Sequence, residues 1–465
     1  MLSKKYTMKL INKIFLFLSI VCLLFLFLTF IRRCIIIITY PFDIDNIEGY
    51  VLNEAKVLIS GGNIYKDINN PPFLFANYPP VYQFVTGLVM KIFNSYSFFI
   101  PRIVSFICSI TIMLMIFYIV FQYSKNILIS IISGFIFPAM WYVYEWTPYA
   151  RIDLLGILFS VLAIISVKNL YVCILFSTLA VFTKQTFVFT AIVCFIYLTF
   201  YNKKDAKKFI IYYFSICGII AIFINFLTKG EFIRQIIFSN VNPYNLKATL
   251  RWFNGFQQNY FLFIIFAIYN IIQEISQKKI SIYSIYFVFS IITATFVGHI
   301  GAYANYFLEL SVAISILTGF TLTNLSEKKY NFFVYVLFFL QIIYLLKLEP
   351  NLKLTRKHNW SREPTKEELR IDTELFQFIN ENKEKNILKE TKPGMLVLAN
   401  KKVEYHSFLP ALGDLWNSRS FIQSLQNGRY DIVITEKKQF NYDNLGFLLK
   451  KKIGDYYIYE YAKKP

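Results

Sequence analysis

The chain has 465 residues, of which 56% are hydrophobic, 19% aromatic and only 16% charged, with a formal net charge of +20. Its apolar residues come in long runs rather than in an amphipathic period, which marks a polytopic membrane protein. Many lysines stand in short pairs between those runs, the pattern that orients membrane segments, so the positive charge is not read as a nucleic-acid footprint.

In chain order, Lys4, Lys5, Lys9 and Lys13 precede an apolar stretch over 14–31. That stretch is longer than a signal-peptide core, and Arg32 and Arg33 follow it instead of a small-residue cleavage site, so it reads as an uncleaved first span. A loop over 39–98 comes next. It carries three acids within six residues, Asp43, Asp45 and Glu48, at the start of a helix-like stretch over 46–59, then a stop at Gly61-Gly62. Pro71-Pro72 and Tyr78-Pro79-Pro80 lead into a second apolar helix over 81–93. These pieces are too short and interrupted to cross a bilayer and are expected to lie along its surface. Further runs follow near 99–121, 126–144, 152–167, 169–183, 185–201, 209–227, 258–274, 281–298, 305–324 and 331–347. With the first, near 14–34, they make about eleven spans able to cross roughly 30 Å of hydrocarbon.

Lys125, Lys168, the Lys203-Lys204 and Lys207-Lys208 pairs, Lys278-Lys279 and Lys328-Lys329 then fall on the side of the N-terminus, which the positive-inside rule puts in the cytoplasm. Asp43, Asp45, Glu48, Asp67, Glu145, Asp153, Glu231 and the tail fall on the other side. The expected location is therefore a cell (plasma or inner) membrane, with an extracytoplasmic tail. That tail, over 348–465, holds nearly half of the charges and has a soluble pattern. Helical periodicity over 365–380 and 418–426, with strand-like runs over 395–399, 431–435 and 456–461, predicts a small α/β domain. The expected architecture is an all-α polytopic membrane domain over 1–347, whose loop 39–98 bears the acids, followed by that extracytoplasmic domain.

Cys22, Cys34, Cys108, Cys173, Cys194 and Cys217 lie in or beside apolar runs with no CxxC spacing and read as unreactive membrane-embedded thiols. There is no glycine-rich phosphate loop, HExxH or GxSxG, so nucleotide hydrolysis and zinc-protease chemistry are not expected. His299, His358 and His406 are scattered without ligand spacing, whereas Asp43, Asp45 and Glu48 could hold a hard divalent cation.

A carboxylate at a bilayer surface, such as Asp45, Glu48 or Asp43, is suited to taking a proton from a hydroxyl or to binding a cation. Acids in the first turn of a helix also serve simply to stabilise its dipole. Polar residues recur at the outer ends of later spans: Arg151 and Asp153, Lys184 and Gln185, then Asn305, Tyr306 and Glu309. Charges at membrane depth tend to be paired or to line a polar cavity, which suggests one shared site; snorkelling of Arg151 and Lys184 to the headgroups is the plainer alternative. Arg151 and Lys184 suit a phosphate, while Tyr78, Tyr82 and Tyr306 suit the faces of sugar rings.

The runs Asp45-Asn46-Ile47-Glu48-Gly49, Gly61-Gly62-Asn63-Ile64-Tyr65 and Ala76-Asn77-Tyr78-Pro79-Pro80-Val81-Tyr82 resemble the first outer loop of bacterial GT-C glycosyltransferases, the superfamily of the aminoarabinose and protein O-mannosyl transferases. Ala150-Arg151-Ile152-Asp153, Phe182-Thr183-Lys184-Gln185-Thr186 and Asn305-Tyr306-Phe307-Leu308-Glu309 are similar to recurring pieces of its members. The resemblance implies a sugar donor on a polyprenyl phosphate, a lipid, glycan or protein acceptor, and a catalytic acid early in the loop. Carried over, that acid is Asp45, with Glu48 and Asp43 as alternates, because three acids stand within six residues. Arg151 and Lys184 would bind the donor phosphate by their position, with Asp153, Gln185, Tyr78, Asn305, Tyr306 and Glu309 around the donor. The rival readings are a lipid-linked saccharide transporter or flippase, expected to carry mid-membrane charges and broken helices, and a glycan polymerase or ligase, whose large outer loop lies later in the chain.

Overall fold

A computed structural model describes residues 2–240, 242–326, 331–348, 363–436 and 440–462. Lys328-Lys329 and His358 lie outside the described residues. Within lipid a backbone must satisfy its own N–H and C=O groups, so long apolar runs become helices. Every run read above as a span is helical. The first helix, α1 (Leu2–Thr39), is followed by α2 (Glu48–Ile59) and α3 (Val81–Ile92) in the loop. The bundle continues with α4 (Phe99–Ser124), α5 (Ile127–Ala139), the short α6 (Trp141–Trp146), α7 (Asp153–Ile165), α8 (Leu170–Val181), α9 (Val188–Tyr201) and α10 (Lys203–Leu227). It closes with α11 (Glu231–Ile236), α12 (Leu246–Ser276), α13 (Ile282–Thr295), α14 (Leu308–Ser326) and α15 (Asn331–Leu348). Five of these helical segments are long and apolar enough to cross a membrane by themselves, and the others in the bundle are shorter. The chain is a multi-pass membrane protein.

Burial separates the helices by role. Every residue of α14 from Leu308 to Leu322 is buried, so this helix is the axis of the bundle. By contrast α10 presents Ile219, Ile222 and Phe226 outward, as a helix facing acyl chains should. Because successive helices reverse direction, Lys125, Lys168, Lys203 and Lys278 gather at one end, and the α6–α7, α8–α9, α10–α12 and α13–α14 connections gather at the other. Loop 40–98 covers that second end.

The tail forms α16 (Lys366–Glu381), β1 (Ile387–Lys389), α17 (Gly394–Leu398), α18 (Ser418–Gln426), β2 (Ile432–Thr435), β3 (Phe447–Ile453) and β4 (Tyr456–Tyr461). Its sheet has the order β1-β2-β4-β3, with β1 parallel to β2 and the other pairs antiparallel. The run 395–399 is therefore helical and not a strand, since a five-residue apolar run has no periodicity to decide between the two. Strands β1 and β3 gave no signal: one is three residues long, and the other exposes five consecutive residues between buried ends.

The tail shares its core with the loop. Tyr40, Phe42, Tyr50, Leu52 and Ala55 share one apolar cluster with Leu375, Ile379, Met395, Ile432 and Ile458. Ile68, Phe73 and Phe75 share another with Tyr405, Leu409, Phe421 and Tyr459. Backbones also pair across this seam: Phe73 N–H donates to the Glu404 carbonyl at 3.0 Å, and His406 N–H to the Phe73 carbonyl at 2.9 Å. Helices α2 and α17 approach so closely that a Cβ on Gly49 would stand 2.4 Å from the Gly394 nitrogen, and one on Gly394 would stand 2.1 Å from the Phe98 ring.

Candidate active site

The site is built on a buried ion pair that does not belong to it. Arg102 on α4 and Glu48 at the start of α2 are both fully buried and meet at 2.7 and 2.8 Å. Arg102 also donates to the carbonyls of Ile37, Tyr40 and Phe42, closing the end of α1. Glu48 receives three backbone N–H groups in addition: Ala150 at 2.9 Å, Ile44 at 3.0 Å and Asp45 at 3.3 Å. A buried charge is tolerated where every polar atom is satisfied, and here each carboxylate oxygen is. Glu48 thereby fixes the main chain of Asp45 and of the residue before Arg151.

Asp45 and Arg151 stand side by side on the wall of a cavity of about 1020 Å³ at the end of the bundle that loop 40–98 covers. Asp45 and Arg151 form an ion pair through Oδ2 of the acid, while Asp45 Oδ1 accepts the Ile47 N–H at 2.7 Å. The guanidinium lies over the Trp146 ring, 4.9 Å from its centre, and its buried Nε has no hydrogen-bond partner among the described residues. The second cation, Lys184, lies in the α8–α9 turn and pairs with Asp153 at 2.8 Å. Its ammonium stands 4.2 Å from the centre of the Tyr306 ring and 5.9 Å from that of Tyr78. Asp153 is also held by Trp146 Nε1 at 2.8 Å and Asn305 Nδ2 at 2.9 Å, so it ties three connections together. Gln185 donates to the carbonyls of Asn77 and Ile236, joining the loop to α11.

Asp45, Arg151, Lys184, Gln185, Tyr78, Asn305 and Tyr306 thus line one cavity, and Asp153 lies directly behind Lys184. Four of the residues singled out by sequence lie elsewhere, among them Tyr82, which is buried on α3 with its hydroxyl donating to the Pro101 carbonyl at 2.8 Å. Glu48 is in the buried pair below. Glu309 is buried in α14, where Tyr286 donates to it at 3.3 Å. Asp43 turns away to the seam with the tail, where its Oδ1 accepts the Gly394 N–H at 3.1 Å. Burial pushes the Asp43 carboxyl up to about 7, a rise assisted by Glu48 and opposed by Lys389 and the Gly394 bond. The three acids therefore do not form one ligand set, and among the described residues no three His, Cys, Asp or Glu side chains are grouped to hold a metal ion.

Sequence reasoning missed the contribution of the tail. Glu368, His406 and Phe408 line the cavity opposite the spans, and His406 stacks on Tyr50 with ring centres 3.8 Å apart. Only the two-sided core explains their arrival, and no local pattern announces it. Arg33 was missed as well: it is buried in α1, pairs with Glu145 at 3.1 Å and donates to the Tyr144 carbonyl at 2.6 Å.

No protein-family model matches the sequence, and no curated protein matches it. Solved structures do match in fold. ArnT from Cupriavidus metallidurans bound to undecaprenyl phosphate is similar with a TM-score of 0.65 and 9% identity, over 94% of this chain and 97% of that one. The apo form of the Archaeoglobus fulgidus oligosaccharyltransferase is similar with a TM-score of 0.57 and 10% identity, over 88% and 69%. The same archaeal enzyme in complex with an inhibitory peptide and a dolichol-phosphate gives 0.52 and 11%, again over 88% and 69%. The fold is that of ArnT and of the archaeal oligosaccharyltransferase.

Proposed function

From a GT-C fold that closes over a charged cavity, we propose that this protein is a membrane glycosyltransferase, moving a sugar from a polyprenyl-phosphate donor to an acceptor hydroxyl with inversion. The observation that carries the reading is that a single carboxylate of the three early acids, Asp45, shares a cavity with two cations, Arg151 and Lys184. Lipid phosphates accompany both ArnT and the oligosaccharyltransferase in structures of this fold. Arg151 and Lys184 neutralise the donor phosphate, Asp45 takes the proton of the acceptor hydroxyl, and Tyr78 and Tyr306 face the sugar. Asn305 and Gln185 border it, while Asp153 holds Lys184 in place. Positioning and charge neutralisation of the leaving phosphate supply most of the acceleration. The cavity faces outward, the N-terminus and the lysine-rich end face the cytoplasm, and the tail is the acceptor side of an extracytoplasmic site in the plasma or inner membrane. The acceptor is a lipid, glycan or protein hydroxyl. A divalent cation, if used, has Asp45 as its one acidic ligand within the cavity from the early loop.

The test is transfer of labelled sugar from polyprenyl-phosphate donors in membranes carrying wild type or Asp45→Asn at matched amounts of folded protein. Transfer by wild type with a fall of about 10²–10⁴-fold in the variant is the expected result for a lost general base. Equal transfer by both would remove Asp45 as the base, and movement of intact lipid-linked sugar across the bilayer without transfer would give the protein to the transporters instead.

A further inference from the structure

The two cations of the cavity are both neutralised by carboxylates when no donor is bound, but the two pairs are not equivalent. Asp153 is buried and held by Lys184, Trp146 and Asn305 at 2.8–2.9 Å, so Lys184 is anchored where it stands. The Asp45–Arg151 pair lies at the cavity surface, with 24% of the acid and 12% of the arginine side chain exposed. Asp45 has a second anchor in the Ile47 N–H, and that bond uses Oδ1. Arg151 occupies the other oxygen, Oδ2, which is the one free of the main chain and therefore the one that can accept a proton. Arg151 in turn has donor capacity in reserve, since its Nε has no partner among the described residues.

Resting on the transferase reading above, we infer that Arg151 is a lock on the base that the donor phosphate opens. The phosphate competes with Asp45 for the guanidinium. When it wins, Oδ2 is freed while Oδ1 stays on Ile47, so the carboxylate keeps its place and gains a vacant acceptor. The donor must therefore bind before the acceptor hydroxyl can be activated. In the transfer itself the acceptor oxygen bonds to the anomeric carbon, the bond from that carbon to the phosphate oxygen breaks, and the hydroxyl proton passes to Oδ2. The polyprenyl phosphate leaves with one more negative charge than it had as the sugar ester, so it holds Arg151 more tightly and departs last. The lock keeps an empty site from activating a hydroxyl when no sugar is present.

Competition of this kind is reciprocal and can be read by binding alone. The probe is undecaprenyl phosphate, titrated into the purified full-length protein in nanodiscs. Asp45→Asn is expected to bind it about tenfold more tightly than wild type, because the phosphate no longer has to displace a carboxylate. In an Arg151→Gln background, where Lys184 alone holds the probe weakly, Asp45→Asn is expected to change nothing. That second comparison separates the lock from simple repulsion between Asp45 and the phosphate, which would persist without Arg151. Asp45→Ala serves as an independent replacement should the asparagine variant fold poorly. Tightening that survives in the Arg151→Gln background, or unchanged or weakened binding in Asp45→Asn, overturns the lock and leaves the donor reading standing. No binding of the probe to wild type or to either Asp45 variant overturns both.

Discussion

Asp45 and Glu48 stand three residues apart, and each holds an arginine from a distant helix or turn. The Glu48–Arg102 pair is sealed: five donors reach the carboxylate, both side chains are fully buried, and the arginine closes the end of α1. The Asp45–Arg151 pair is open: it borders a cavity, and its arginine has a buried donor without a partner among the described residues. What differs is the availability of lone pairs and donors, not the chemistry of the residues. A carboxylate with every lone pair committed is architecture, and one held by a single exchangeable cation is available for a reaction.

The sharpest way to break this comparison is to treat the sealed pair as though it were the open one. Arg102→Met is expected to cost about 3–5 kcal/mol, because it leaves Glu48 charged, buried and unpaired. The check is the yield of monodisperse protein and its thermal midpoint in detergent, against Arg151→Met, where a smaller loss is expected because Asp45 borders the cavity and keeps the Ile47 N–H. Similar losses in both variants would end the distinction between them.

A smaller effect is expected where the loop meets the tail. Gly394→Ala places a methyl group 2.1 Å from the buried Phe98 ring and 2.6 Å from the Asp43 carboxylate, so both side chains must shift. Overpacking of this sort costs about 1–3 kcal/mol, and proteolysis of the tail in intact membranes is the readout. If the tail is an independent domain, its protease resistance will be unchanged.

The last effect is a slope with pH. The Asp43 carboxyl titrates near 7 in the fold, above the ordinary value of about 4, so the folded state holds a proton that the unfolded chain has released between those limits. Its contribution to stability is fully present below about 4 and is lost as pH rises through about 7. Asp43→Asn, which cannot ionise, should therefore gain on wild type over that window. Thermal midpoints at the two ends of the window measure it, and a constant difference would remove Asp43 from the account.

Much of this was legible beforehand, and for a physical reason. Lipid forces apolar runs into helices whatever their neighbours, so the spans could be read one at a time. That Arg151, Lys184 and Asn305 stand at one end of the bundle followed from counting those spans, and the cavity does unite them with Asp45. Partner choice could not be read. Nothing local to Glu48 announces Arg102, 54 residues later, or says that Asp45 and not its neighbours will face the cavity. Glu309 has the same signature as Asp153, an acid at the start of a buried helix, yet it meets Tyr286 rather than a cation. His406 and Phe408 reach the site only because the tail folds back on the loop.

That return has a consequence for the order of events at the ribosome. Tyr40, Tyr50, Phe73 and Phe75 are made among the first hundred residues, while the side chains that bury them, such as Ile379, Tyr405 and Phe421, are made after the last membrane helix. Tyr40 waits 332 positions for its hydrogen bond to Asp372, and Asp43 waits 351 for the Gly394 N–H. Contacts so distant in the chain pay their loop-closure cost late and leave apolar surface uncovered meanwhile. The half of the site that carries Asp45 is thus synthesised first and finished last.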